Sequence, residues 1–107
     1  MGRPGLSTTY ERSSGLPESL KRDRDAVFGR DFRDDLGHWV ATEPRIANRI
    51  LTLVEAILRD PFAGIGKPEP LKRLGSDVWS RRITAEHRLV YLVNDTRIDF
   101  LQCRYHY

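Results

Sequence analysis

Apolar residues recur along this chain with two different periods, and the change falls near Pro61. Upstream, Phe32, Leu36, Trp39 and Val40 return at helical spacing. Asp31 suits the N-cap, with Asp34 and Asp35 in the first turn. A second helix is predicted after Thr42-Glu43, opened by Pro44, whose fixed φ fits the first helical position. Its apolar stripe is Ile46, Ile50, Leu53, Val54 and Ile57. Leu51 and Leu58 widen the stripe, so burial on more than one side is expected. Asp60-Pro61 stops this helix, and Asp25–Phe28, closed by Gly29, reads as a short strand ahead of both.

Downstream the period shortens to two. A Gly/Pro loop runs from Gly64 to Pro70, followed by an expected short strand from Leu71 to Leu74, ended by Gly75-Ser76-Asp77. Val78–Thr84 and Arg88–Val93 read as strands, Asn94-Asp95-Thr96 as a turn, and Arg97–Tyr105 as the last strand. The order β-α-α-β-β-β implies an α+β domain, an antiparallel sheet with two helices on one face. The other face is left for solvent or a ligand. Residues 1–24, rich in Ser, Gly, Pro and charge, read as a flexible extension, and residues 25–107 as the domain.

With 107 residues, the chain suits a single modest core. No apolar run approaches the roughly 20 residues of a membrane span. Nothing near residue 1 resembles the apolar core of a secretory signal. The single cysteine, Cys103, alternates with Leu101 and reads as a small buried hydrophobe. A reducing cytoplasm is the expected compartment, and no metal or cofactor is expected. Charge is distributed unevenly. Residues 30–60 hold five Arg and six Asp/Glu, a net of −1, whereas residues 66–107 hold eight Lys/Arg and five Asp/Glu, a net of +3. A basic strand half suits a polyanion such as nucleic acid.

Several side chains in that half could carry chemistry. Glu69 lies between Pro68 and Pro70, so its carboxylate is presented from a stiffened segment, as a general base requires. Arg81, Arg82 and Arg88, with Lys67 and Lys72, can hold phosphates; the planar guanidinium fork matches two phosphate oxygens. Fixed cations of this kind also stabilise a pentacoordinate phosphorane. His106 can donate a proton near neutral pH, and Tyr107 can stack on a base or orient a phosphate. His38 and His87 are weaker candidates. The last hairpin leaves one geometric question open. A two-residue turn would pair Arg88 with Cys103 and put His106 on the opposite face, whereas a three-residue turn or a bulge would bring Arg88 and His106 to one face.

The blocks Asp60-Pro61-Phe62, Gly66-Lys67-Pro68-Glu69-Pro70-Leu71-Lys72, Trp79-Ser80-Arg81-Arg82-Ile83-Thr84, Glu86-His87-Arg88-Leu89-Val90-Tyr91 and Cys103-Arg104-Tyr105-His106-Tyr107 together resemble the Txe/YoeB family. These are toxins of type II toxin–antitoxin modules within the RelE-like superfamily. The resemblance covers about residues 25–107. It implies a RelE-like fold and a ribosome-dependent messenger RNA endonuclease that acts in the ribosomal A site. By resemblance, Glu69 is the general base, Arg88 the transition-state arginine, and His106 and Tyr107 the terminal pair. Lys72 and Arg82 match further positions that contact RNA. The family also implies a YefM-like antitoxin as partner and no metal; a homodimer is left open. Two other classes stay in view: a ParE-like inhibitor of DNA gyrase, and a module that only binds RNA or the ribosome.

Overall fold

Gly29 joins the first strand to the first helix at a point where a side chain would fit only tightly. A Cβ there would lie 3.2 Å from the carbonyl oxygen of Phe100, the same atom that accepts the Gly29 N–H at 3.0 Å. The computed structural model describes residues 23–105. Its elements are β1 (Asp25–Phe28), α1 (Arg30–Thr42), α2 (Pro44–Arg59), β2 (Glu69–Pro70), β3 (Val78–Arg82), β4 (Arg88–Val93) and β5 (Arg97–Gln102). Gly29 is itself the N-cap of α1, without a side-chain cap. Asp31 is therefore not the cap; it lies in the first turn and meets the helix dipole there. Pro44 opens α2 as expected.

The two helices cover one face of the sheet. Phe32 and Trp39 of α1 and Ile50, Leu53 and Ile57 of α2 pack on Leu89, Tyr91, Ile98 and Phe100. Leu53 is fully buried, and truncating such a side chain to Ala costs about 2–5 kcal/mol. Two stripe residues depart from expectation. Val40 and Leu51 are exposed, so α2 buries one side only, against the sheet and α1.

The strands lie in the order β1-β5-β4-β3-β2. The pairings β2–β3, β3–β4 and β4–β5 are antiparallel. The first strand departs from the expected pattern. β1 joins β5 in parallel, Asp25 against Arg97 through Phe28 against Phe100, so the sheet is mixed. The helical pair carries the chain over the sheet and delivers it to the far edge, leaving β1 at the opposite edge beside the last strand. The β2 strand is also displaced from its expected place. Glu69 and Pro70 pair with Ser80 and Trp79, and the expected strand at Leu71–Leu74 is a turn closed by the Leu74 N–H on the Leu71 carbonyl at 2.9 Å. Proline at an edge strand costs no ladder bond, which is why the Pro-Glu-Pro segment is tolerated there.

Strand β5 contains a bulge. Tyr91 pairs with Phe100, but Val90 pairs with Gln102, leaving Leu101 unpaired and outward. The side-chain alternation therefore slips by one. Cys103 falls on the helix-covered face with Ile98 and Phe100, and is fully buried. It is the buried hydrophobe expected, but it does not alternate with Leu101, which is exposed. The hairpin has both features weighed above: a tight Asp95-Thr96 turn, closed by the Asn94 N–H on the Arg97 carbonyl at 2.9 Å, and a bulge beyond it. Ladder pairing stops at Gln102, three residues short of the expected end.

Candidate active site

The sheet face away from the helices carries the site. Strand alternation turns Val78, Ser80 and Arg82 of β3 and Arg88, Val90 and Leu92 of β4 to that side. Leu71, Val78, Val90 and Leu92 form a small apolar floor at one end. At the other end Arg82 and Arg88 are direct cross-strand partners, and Glu69 of β2 stands opposite Ser80. Residues far apart in sequence thus converge because three short strands are in register.

Arg88 is the centre of this group. Its side chain is 9% exposed, whereas that of Glu69 is 61% exposed. The Arg88 Nη2 donates to Glu69 Oε1 at 3.2 Å, and its Nε donates to Ser80 Oγ at 2.9 Å. The guanidinium is held at two points, with a carboxylate at the solvent edge. Two guanidinium-bearing residues directly opposite each other repel unless an anion sits between or beside them. Glu69 supplies one such anion; a phosphate is the natural second. Lys67 and Lys72 are exposed around the same edge, one in the loop before β2 and one in the turn after it. Lys67 adopts φ +52°, and Gly66 before it has no freedom for a side chain, since a Cβ would lie 2.9 Å from Leu53 Cδ2.

Arg81 does not belong to this surface: against the expectation that it holds RNA phosphates, the fold buries it completely. Lying between Ser80 and Arg82, it points to the helix side and is fully buried. Its Nη1 donates to the Ile65 carbonyl at 3.0 Å, and its Nη2 to the carbonyls of Asp60 and Ala63. Its Nε donates to the Tyr91 hydroxyl at 3.2 Å. That hydroxyl in turn donates to the Pro61 carbonyl at 2.7 Å. Burial pushes the Tyr91 phenol above its ordinary range, against the opposing pull of Arg81. The arginine therefore serves as an internal clamp, supplying donors to a loop whose carbonyls would otherwise be buried without partners. Burial likewise pushes the Cys103 thiol up to about 12, with Asp35 adding to the rise, so it stays protonated and unreactive.

His106 and Tyr107 lie outside the described residues. His38 packs edge-on against Trp39. Two residues touch the candidate site in ways the sequence does not assign: Ser80 is no candidate there, and His87 only a weak one. Ser80 orients Arg88; its alternation with Arg82 on β3 was the available signal. His87 is 11% exposed at its side chain and accepts the Tyr105 N–H at Nδ1, at 2.7 Å. No local pattern announces that contact.

Residues 28–107 match the family described as YoeB-like toxin of bacterial type II toxin–antitoxin system. The toxin YoeB of Mycobacterium bovis is 49% identical over 84 residues, covering 78% of this chain and 99% of that protein. A YoeB/ParE toxin from Agrobacterium tumefaciens superposes with a TM-score of 0.74 at 46% identity, over 78% of this chain and 99% of that one. The Staphylococcus aureus YoeB dimer gives 0.73 at 36% identity, over 79% and 99% of the two chains. The YoeB–YefM complex from the same organism gives 0.69 at 37% identity, over 78% and 98%. Both the matched span and these identities lead to one statement: this chain belongs to the YoeB-like toxins of bacterial type II toxin–antitoxin systems.

Proposed function

We propose that this toxin is a messenger RNA endonuclease that cuts its substrate on the ribosome, in the cytoplasm. The observation that carries the reading is the meeting of Glu69 and Arg88, 3.2 Å apart on an open sheet face, with Arg82 directly across from Arg88. A base and a fixed cation at that spacing suit a phosphodiester whose 2′-oxygen is attacked next to phosphorus. Glu69 takes the proton from the ribose 2′-OH, and the oxygen attacks the adjacent phosphorus. Arg88, with Arg82 and Lys72, stabilises the negative phosphorane. His106 protonates the departing 5′ oxygen, and Tyr107 positions the phosphate or base. The products are a 2′,3′-cyclic phosphate and a 5′-OH. Lys67 adds to the basic rim that holds the RNA backbone.

The resting ion pair fits this scheme. Glu69 occupies Arg88 until a phosphate arrives; the phosphate then takes the guanidinium and leaves the carboxylate to accept a proton. The ribosome is the expected co-substrate because an open face on a small domain holds RNA loosely. Orientation supplied from outside can be worth about 7–11 kcal/mol of barrier. A YefM-like antitoxin is the expected inhibitor and a homodimer the expected free form, in line with what the Staphylococcus aureus relative forms.

The deciding experiment programs purified ribosomes with a defined message and maps new 5′ ends after adding the toxin. Cuts inside the A-site codon, each bearing a 5′-OH, are expected. Intact messages together with broken DNA would replace this reading with gyrase poisoning. Tight ribosome binding without any cut would replace it with a pure binding module.

A further inference from the structure

The dipeptide His87-Arg88 faces two ways. Arg88 points to the open face and Glu69. His87 points to the other side, where its ring lies edge-on to Trp39 with centroids 4.7 Å apart at 77°. Its backbone is fixed by the neighbouring turn: its carbonyl accepts the N–H groups of Ile83 and Thr84 at 2.9 and 3.2 Å, and its N–H donates to Thr84 Oγ1 at 3.2 Å. Trp39 is fixed too, donating from Nε1 to the Cys103 carbonyl at 2.9 Å. The imidazole is thus a rigid group on rigid neighbours.

What that ring holds is the chain just beyond β5. Nδ1 accepts the Tyr105 N–H at 2.7 Å, so Nδ1 carries no proton in this arrangement. The Tyr105 carbonyl accepts the Arg88 N–H at 3.3 Å. The Tyr105 ring packs on His87 with centroids 5.5 Å apart, and the Arg104 guanidinium covers that ring at 4.6 Å. Tyr105 itself has φ +65°. A bulky residue avoids this left-handed conformation unless its surroundings impose it. Here both its main-chain groups are held, one by His87 and one by Arg88. The next residue is His106.

We infer that His87 is a positioning residue for the terminal His106-Tyr107 pair. It fixes the backbone from which that pair departs, through the Nδ1 contact with Tyr105. One dipeptide then bears on both halves of the proposed reaction: Arg88 engages Glu69, and His87 holds Tyr105, the residue before the candidate acid. The inference rests on the nuclease reading for its consequence, but the contact itself is independent of it.

The test uses the full chain on programmed ribosomes, in single turnover, with His87→Leu and His87→Asn. These replacements are close in shape, but Asn keeps an acceptor at the place of Nδ1 and Leu does not. His87→Leu is expected to slow cleavage by about 10²-fold, the scale of a misplaced reacting group, with half-saturating ribosome concentration unchanged. His87→Asn is expected to recover most of the rate. His87→Gln carries its acceptor at the place of Nε2 instead and should fail like Leu; it supplies the contrast if the Leu variant does not fold. In a His106→Gln background, His87→Leu should add little further loss, because it acts through that residue. Amide hydrogen exchange should show Tyr105 protected in the wild type and in His87→Asn only. Equal losses in all three variants, additive losses with His106→Gln, or an unchanged Tyr105 amide in His87→Leu would overturn the positioning role while leaving the nuclease intact. A wild-type protein that cuts no ribosome-bound message would overturn the nuclease reading, and Tyr105 exchange would still decide the contact.

Discussion

Arg81 and Arg88 sit on adjacent strands of one sheet and have opposite fates. Arg81 faces the helices, fully buried, and gives its donors to neutral oxygens: three loop carbonyls and a tyrosine hydroxyl. Arg88 faces outward and gives its donors to a serine and a solvent-exposed carboxylate. An arginine surrounded by fixed carbonyls is committed, since nothing arriving from solvent can outbid covalently anchored partners. An arginine paired with an exposed carboxylate is exchangeable, because a phosphate offers the same charge and more oxygens. The type of acceptor, more than the arginine, separates the structural role of Arg81 from the catalytic role proposed for Arg88.

The comparison can be broken most decisively at Arg81. Arg81→Ala strips the donors from the carbonyls of Asp60, Ala63 and Ile65 and leaves a cavity. Each buried acceptor left alone costs about 1–3 kcal/mol, so a loss of about 3–5 kcal/mol is expected by urea denaturation. A loss below about 1 kcal/mol would mean that the clamp is dispensable. On the open face the effect should move from stability to rate. Glu69→Gln is expected to slow single-turnover cleavage by about 10²–10⁴-fold, and Arg88→Ala by about 10²–10³-fold. Both should remain within about 1 kcal/mol of wild-type stability, as suits an ion pair with one exposed partner. A matching collapse in stability would erase the distinction between the faces.

Alkali sharpens the contrast from the covered side. Burial pushes the Cys103 thiol from its ordinary 9.0 up to about 12. The folded state therefore holds this proton more tightly, and its contribution is fully present below pH 9 and lost as pH rises toward 12. The slope approaches about 1.4 kcal/mol per pH unit within that window. Cys103→Ala should flatten this part of the alkaline stability profile, while Arg82→Ala should not alter it. Salt supplies the mildest probe. Arg82→Ala and Lys72→Ala should each reduce the salt dependence of binding to the programmed ribosome by roughly 0.7–1 in log–log slope. An unchanged slope would remove that residue from the phosphate-binding surface.

Much of this division was readable in the sequence. The helical period placed Ile50, Leu53 and Ile57 in the core, and the period of two placed β3 and β4. The alternation Ser80-Arg81-Arg82 even requires that Arg81 and Arg82 face opposite sides. It does not say which side is covered; that depends on where the helices return, a long-range property. The same limit explains β1, whose partner lies at the other end of the chain, and the bulge at Leu101, which a two-residue turn and strict alternation do not announce. Glu69 and Arg88 could be named from their resemblance to a family. Their contact, and its setting by Ser80, came from the register of three strands.

The parallel pairing of β1 with β5 sets an order of events during synthesis. Phe28 must wait for its neighbour across 72 positions of chain, the interval from Phe28 to Phe100. At translation speeds of about 5–20 residues per second, that is a delay of roughly 4–14 s. Trp39 waits as well, since the carbonyl that anchors its indole belongs to Cys103. A nascent chain can build its helices and the strands that carry Glu69 and Arg88, yet it lacks the edge that locks the first strand and the first helix in place. The fold is completed by joining its first strand to its last, so the toxin is unfinished until β5 has been made.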